Sequence, residues 1–455
     1  MGKLKRGECV ELCVEGLDER GQGLARWGAF TVRIRGGVPG DRIRARIRHV
    51  RYRKRLADAQ KEELIESSVK RVVPRCSHFG TCGGCLWQDI PYEVQVNLKQ
   101  QLVDQCLQEV GIDVQQEPPV VADSPFFYRN KMEFSFGVSA NGGLDLGLHI
   151  PGRFDRIFDL EACYLQSEIS NGLVNRIRSF VQEAELGAYD LKRHEGLLRF
   201  LTIREGKQTG EVMVVITTSA EVFPQAEKLG SALMEAFPEV KSVIHTVNRR
   251  KAQVAYGDEE IVLAGDAIIR ERLGEFIFEV SPTSFFQTNT HQAERLYLKV
   301  LELADLKPED EALDVYCGTG GISLFLSKQV RRVVGIEASE AAIQDALRNS
   351  AQNGVTNCEF IAGPAEEVLG QLKTEHFDVA VTDPPRPGMH PKALNAFIAL
   401  QPERMVYVSC NPKALAQDLK RLTQAGYEVG RVQLVDMFPH TPHCEVLVRL
   451  TYGSL

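Results

Sequence analysis

The chain has 455 residues, 44% hydrophobic and 25% charged, a composition that excludes a disordered or fibrous protein. No apolar run reaches the roughly 18–20 residues needed to cross a bilayer, which excludes a membrane-embedded helical protein. The net charge of −7 hides an asymmetry: residues 1–55 carry 15 Lys/Arg against 6 Asp/Glu, so the remaining 400 residues hold −16.

At the N-terminus, Met1-Gly2-Lys3-Leu4-Lys5-Arg6 is basic with no apolar stretch behind it. Neither a secretory signal nor a myristoylation signal is expected, and the cytoplasm is the expected compartment. Eleven cysteines in such a chain are not a disulfide framework. Residues 5–58 read as short strands broken by glycine turns: Glu8–Val14, then Leu24–Val32 after Gly21-Gln22-Gly23, then Arg42–His49. The last alternates strictly, with Ile43, Ala45 and Ile47 on one face and four arginines on the other. A small barrel of the oligonucleotide-binding type is expected over residues 1–60, its arginine face attracting a phosphate backbone. The alternative is a solvated charged face. Gly21-Gln22-Gly23-Leu24-Ala25-Arg26, with Val38-Pro39-Gly40-Asp41 downstream, resembles the TRAM domain of RNA-modifying enzymes.

Cys76-x5-Cys82-x2-Cys85, with Cys163 far downstream, forms a ligand-like set. Four thiolates suit either zinc or an iron–sulfur cluster, and the spacing does not decide between them. Helical spacing runs over Tyr92–Gly111. The central region, residues 61–280, mixes strands (Lys131–Val138, Val212–Thr217, Ser242–Val247) with helices (Gln166–Ala184, Gln225–Ala236) in an α+β pattern.

From residue 281 to 455 short apolar strands alternate with helices. This is the βαβ rhythm of a doubly wound, Rossmann-like α/β domain. Leu313-Asp314-Val315-Tyr316-Cys317-Gly318-Thr319-Gly320-Gly321 places a glycine turn between a strand and a helix, a site for close backbone approach to a ligand. Glu337 ends the next strand, where an acid accepts hydrogen bonds from ribose hydroxyls of S-adenosylmethionine or of a nicotinamide cofactor. Val381-Thr382-Asp383-Pro384-Pro385-Arg386 resembles the signature of base methyltransferases. Gly318, Gly320, Glu337 and Asp383 together resemble an S-adenosylmethionine site more than a nicotinamide one. Cys410, in Ser409-Cys410-Asn411-Pro412, follows another strand. A cysteine there serves carbon-5 methylation of a pyrimidine: thiolate addition to carbon 6 makes carbon 5 nucleophilic. Glu445 opens the last apolar strand and is the candidate base for the carbon-5 proton.

Phe286-Gln287-Thr288-Asn289, Asp314–Gly320, Asp383–Arg386, Ser409–Pro412 and His443-Cys444-Glu445 stand in the order and spacing of the RNA uracil-5-methyltransferases, which the C-terminal half resembles closely. The resemblance implies Cys410 as nucleophile and Glu445 as base. It implies Gln287, Tyr316, Gly318, Glu337 and Asp383 as contacts of S-adenosylmethionine. Gly321 departs from members that carry an asparagine there. Cys76–Gln88 and the surroundings of Cys163 are similar to ribosomal-RNA members, which implies a [4Fe-4S] cluster held by Cys76, Cys82, Cys85 and Cys163. Tyr128-Arg129-Asn130-Lys131 resembles an element near the RNA. Transfer-RNA members commonly lack both the TRAM domain and the cluster, so the expected partner is 23S ribosomal RNA; no obligate protein partner is inferred. The competing readings are a cytosine-5-methyltransferase, disfavoured because no Pro-Cys follows Asp383, and a silent RNA-binding protein.

Overall fold

The computed structural model describes residues 4–139 and 142–453. Five strands, β1 (Cys9–Leu17), β2 (Gly23–Trp27), β3 (Phe30–Ile34), β4 (Arg42–Arg51) and β5 (Leu56–Glu66), close a barrel in the order β1-β2-β3-β5-β4. The single strand expected over 24–32 is two, because Gly28 turns the chain at φ 58° between the paired residues Trp27 and Phe30. Ile43, Ala45 and Ile47 are fully buried in the barrel. The β4 arginines face outward as the alternation requires, but they are not a bare cationic face. Arg42 and Arg44 pair with Glu11, Arg44 also with Glu63, and Arg46 with Glu62. Arg48 donates to Gln60 Oε1.

Between barrel and central sheet lie α1 (Tyr92–Gln108) and β6 (Gln116–Val120). The central sheet uses β7 (Lys131–Val138), β8 (Leu144–Ile150), β9 (Arg153–Asp159), β10 (Leu198–Glu205), β11 (Val212–Thr218), β12 (Val240–Val247) and β13 (Glu259–Gly265), in the order β13-β12-β11-β10-β7-β8-β9. Helices α2 (Glu168–Glu183) and α3 (Ala226–Ala236) cover one face, burying Leu173, Ile177 and Leu229 against Phe134, Leu201 and Val214. A hairpin, β14 (Ile269–Leu273) and β15 (Phe276–Val280), lies against the other face through Ile269 and Val280.

The C-terminal sheet alternates with helices in chain order: α4 (Thr290–Ala304), β16 (Glu311–Val315), α5 (Gly321–Ser327), β17 (Arg332–Glu337), α6 (Glu340–Gln352), β18 (Cys358–Ala362), α7 (Ala365–Gln371), β19 (Val379–Thr382), α8 (Pro391–Leu400), β20 (Arg404–Ser409), α9 (Pro412–Gln424), β21 (Tyr427–Val435) and β22 (Glu445–Tyr452). The order is β18-β17-β16-β19-β20-β22-β21-β6, parallel from β18 to β20, with β22 antiparallel to both its neighbours. Helices α1, α7, α8 and α9 cover one face; α4, α5 and the hairpin cover the other. The order in which successive strands are added to the sheet reverses between β16 and β19, which themselves run parallel. Such a switch point opens a crevice at the carboxyl ends of the strands, where ligands bind in this architecture. Among the described residues no helix is long and apolar enough to cross a membrane.

Candidate active site and cysteine cavity

Strand register assembles the site. Val315 pairs with Ile336 on one side and Thr382 on the other, so the next residues, Glu337, Tyr316 and Asp383, stand abreast at the switch point. Tyr316 sits at φ 69° and Gly318 at φ 55°, the left-handed region that glycine enters freely. A Cβ on Gly318 would meet nothing within 4 Å, so the turn faces open space. The Glu337 carboxylate accepts from Gly318 N at 3.3 Å and Ser339 N at 2.9 Å, which fixes it beside the turn. Asp314 is fully buried beneath the turn and accepts from Ser323 Oγ at 2.6 Å. Gln287 is buried, and its segment is fixed from the central sheet: Asn130 Nδ2 donates to Gln287 O at 2.8 Å and to Thr290 Oγ1 at 2.9 Å. The glycine at 321 also has a reason, since a Cβ there would lie 2.8 Å from Tyr297 Oη.

Cys410 and Glu445 come from adjacent antiparallel strands. Ser409 pairs with Val446, and one step further along that register Cys410 opposes Glu445. Asn411 caps α9, accepting from Lys413 N at 3.2 Å, and donates from Nδ2 to Arg386 O at 2.8 Å. That bond ties the loop after Asp383 to the Cys410 turn. The far end of the loop is anchored too: Asp418 accepts from Met389 N at 2.8 Å and from Tyr407 Oη at 2.6 Å.

Three acids crowd this crevice. Burial, then the Asp314 charge, pushes Asp383 up to about 7. Burial, then the Asp383 charge, holds Glu445 well above the usual carboxylate range, and Glu445 Oε2 has no hydrogen-bond partner. Burial, then Glu445 and Asp383, raises the Cys410 thiol to about 11. The Arg386 guanidinium opposes both of the latter shifts. Burial thus biases the acid and the thiol toward their protonated forms, and a cation placed beside them opposes that bias. Arg386 and Asp314 stand within the sequence motifs without a role that local pattern gives them; an arginine directly after the Asp-Pro-Pro turn is the available signal.

The four cysteines also meet. Cys76, Cys82, Cys85 and Cys163 line one cavity of about 210 Å³, with Arg129 and Tyr164 in its wall. Burial, followed by the fields of Cys163, Cys82 and Cys76, raises Cys85 to about 12. Donors point at the sulfurs: Gly84 N lies 3.2 Å from Cys82 Sγ, Gln88 Nε2 3.6 Å from Cys85 Sγ, and backbone N–H groups of Leu165 and Gln166 face Cys163. Such donors stabilise thiolates. Among the described residues no three His, Cys, Asp or Glu groups stand close enough to grip a single metal ion.

A doubly wound sheet with this glycine turn, strand-end acid and Asp-Pro-Pro loop defines the class: an S-adenosylmethionine-dependent methyltransferase. The model of the tRNA (Uracil-5-)-methyltransferase family matches residues 92–452, starting at the first residue of α1. An uncharacterized RNA methyltransferase of Clostridium tetani is 37% identical over 452 residues, 99% of this chain and 97% of its own. One from Chlorobaculum tepidum is 38% identical over 470 residues, 98% of this chain and 96% of its own. The crystal structure of the Pyrococcus abyssi tRNA (uracil-54, C5)-methyltransferase with S-adenosyl-L-homocysteine is 30% identical, with a TM-score of 0.79, over 97% of this chain and all of that one. The chain belongs to the tRNA (uracil-5-)-methyltransferase family of RNA methyltransferases.

Proposed function

We propose that this enzyme methylates carbon 5 of a uridine in RNA through a covalent bond between Cys410 and carbon 6. The opposition of Cys410 and Glu445 across β20 and β22, beside Asp383, carries this reading. Bound S-adenosylmethionine supplies an electrophilic methyl on a sulfonium; Gln287, Tyr316, Gly318, Glu337 and Asp383 are the residues placed to hold it. Cys410 gives up its proton to solvent as sulfur bonds to carbon 6, and the ring's electron pair moves to carbon 5 and O4. Carbon 5 takes the methyl as the methyl–sulfonium bond breaks, and the electron pair leaves with S-adenosyl-L-homocysteine. The Glu445 carboxylate then removes the carbon-5 proton, the double bond reforms and Cys410 leaves as thiolate. Arg386 favours the anionic forms of both groups.

The barrel of residues 1–60 is assigned to RNA binding, residues 61–280 to the cysteine site and substrate positioning, and 281–455 to chemistry. Cys76, Cys82, Cys85 and Cys163 are proposed to hold a closed, structural [4Fe-4S] cluster. A cavity lined by four thiols with N–H donors aimed at them suits a cluster that spreads its ligands, and suits a single zinc ion less well. The proposed substrate is 23S ribosomal RNA. A transfer-RNA substrate is a second reading, favoured by the full-length match to the archaeal tRNA enzyme: that match removes the force of the barrel as a ribosomal marker. The test is mass mapping of 5-methyluridine in RNA from cells with and without the gene, complemented by wild type or Cys410→Ala. Loss at ribosomal positions restored only by wild type is expected. Loss confined to transfer RNA selects the second reading; Cys410→Ala restoring methylation overturns the covalent mechanism.

A further inference from the structure

The segment between β21 and β22, residues 436–444, ends on Glu445, and it is fastened largely from the cysteine-bearing lobe. His440 is the junction. Its carbonyl accepts from Leu86 N at 2.9 Å and Trp87 N at 3.1 Å, the two residues after Cys85. Its backbone N donates to Gln95 Oε1 at 2.8 Å, while Gln95 Nε2 faces His440 Nδ1 at 3.2 Å and donates to Trp87 O and Ile90 O at 2.9 and 2.8 Å. Its ring lies 4.5 Å from that of Phe126. Arg75, beside Cys76, stacks on Phe126, Phe127 and Tyr164 at 5.4, 4.8 and 4.7 Å, and Tyr164 adjoins Cys163. Two of the four cysteines, Cys85 and Cys76, thus have a chain neighbour that contacts His440 directly or through one ring, and Cys163 joins them through Tyr164 and Arg75.

The strain is placed here as well. His440 is 4% exposed and held at φ 66°, a left-handed conformation disfavoured for a residue with a Cβ that persists only where its surroundings impose it. Pro442 fills the space a Cβ on Gly21 would need, so the barrel's glycine turn closes over the same segment. Tyr128 Oη donates to Pro439 O at 3.1 Å and Asn289 Nδ2 to Met437 O at 3.0 Å.

We infer that His440 is a positioning residue through which the cysteine-bearing lobe sets the placement of Glu445, so that an intact cysteine site is required for proton abstraction rather than for the earlier steps. The inference rests on Glu445 being the base. A base held out of place stalls elimination after methyl transfer, and the methylated enzyme–RNA adduct accumulates. A merely weakened fold lowers adduct and product together.

The experiment uses purified holoenzyme, S-adenosylmethionine and total RNA from cells lacking the gene. It reads turnover, KM for S-adenosylmethionine, and the fraction of Cys410 peptide carrying a 5-methyluridine nucleotide after nuclease digestion. Glu445→Gln is expected to trap adduct without turnover. Gln95→Met, His440→Ala and Cys82→Ser are each expected to lower kcat tenfold or more, leave KM within twofold, and raise the adduct from trace to a major fraction; His440→Asn, which tolerates the left-handed backbone and keeps an acceptor, recovers part of the rate. Should Gln95→Met fail to fold, Phe126→Leu, which removes only the stacked ring, is read instead. Trapping by Glu445→Gln with none in the other variants overturns the coupling and leaves the base assignment standing. No trapping by Glu445→Gln overturns the base assignment and the coupling with it.

Discussion

S-adenosylmethionine binding should release a proton. Asp383 is held up to about 7 by burial and the neighbouring Asp314 carboxyl. Below pH 7 it is therefore mostly protonated in the free enzyme, while a sulfonium beside it requires the carboxylate. The linkage sign follows: the bound state carries fewer protons, so affinity rises with pH until Asp383 is ionised without help. A single group of this kind makes Kd about 25-fold weaker at pH 5.5 than at pH 7.5, and nearly flat above pH 8. Asp314, itself pushed up to about 7, acts on Asp383, and Asp383 acts on Glu445, so the three acids titrate jointly; Glu445→Gln removes one of them. Titration calorimetry in two buffers of different ionisation enthalpy should count close to one proton released at pH 6 and almost none at pH 8.5. In Asp383→Asn the slope should vanish and affinity at pH 7.5 should fall about tenfold or more. A Kd constant within twofold between pH 5.5 and 7.5, with no proton release, would refute the placement of the cationic cofactor against Asp383.

Lys99 and Asp436 are both fully buried and pair at 2.6 Å, with Lys99 Nζ also 3.0 Å from Phe438 O. Lys99→Met strands a buried carboxylate and should cost about 3–5 kcal/mol by urea denaturation, most of it recovered by adding Asp436→Asn. Gly318→Ala and Gly320→Ala separate ligand space from packing. At Gly318 a methyl enters open space, so cofactor affinity should fall while stability drops only by the backbone strain of about 1–2 kcal/mol. At Gly320, φ 83°, the added Cβ lies 3.2 Å from Ala346 Cβ and Leu324 Cδ1, so a melting measurement should show the larger loss there.

The elements most legible in the sequence are those whose pattern is local. Lys131–Val138 is a strand with the bounds its apolar spacing indicates, and α6 begins after Ser339, whose side chain accepts from Ala342 N as an N-cap should. β6 was not legible, because Glu117-Pro118-Pro119 argues against a strand; it survives as an edge strand, where missing N–H donors face no partner. Its partner β21 lies more than 300 residues downstream, and no periodicity encodes that distance. The same holds for the supports of the proposed catalytic pair. Cys410 and Glu445 each announce themselves by a strand end and a polar turn, but Gln95–His440 and Lys99–Asp436 join residues 345 and 337 apart. A buried lysine within a helix otherwise reads as a solvated one.

The ion pairing of the barrel's arginines leads to a last prediction. An arginine already paired with glutamate must give up that partner before it gains a phosphate, so it releases few counterions on binding. Arg42, Arg44 and Arg46 are in that position. The turn after β4 is different. Arg53, Lys54 and Arg55 are exposed next to Tyr52, itself 52% exposed, and among the described residues none of the three makes a salt bridge. An unpaired basic cluster with an exposed ring is the combination that engages single-stranded RNA by charge and stacking. Replacing Arg53, Lys54 and Arg55 together by alanine should flatten the dependence of log K on log salt by about two units, at roughly 0.7 per phosphate lost. Replacing Arg44 and Arg46 should change it by less than one. Filter binding across a salt series measures both, and a larger change from the Arg44 and Arg46 substitutions would mean that the glutamates yield to RNA and that the arginine stripe is the contact surface after all.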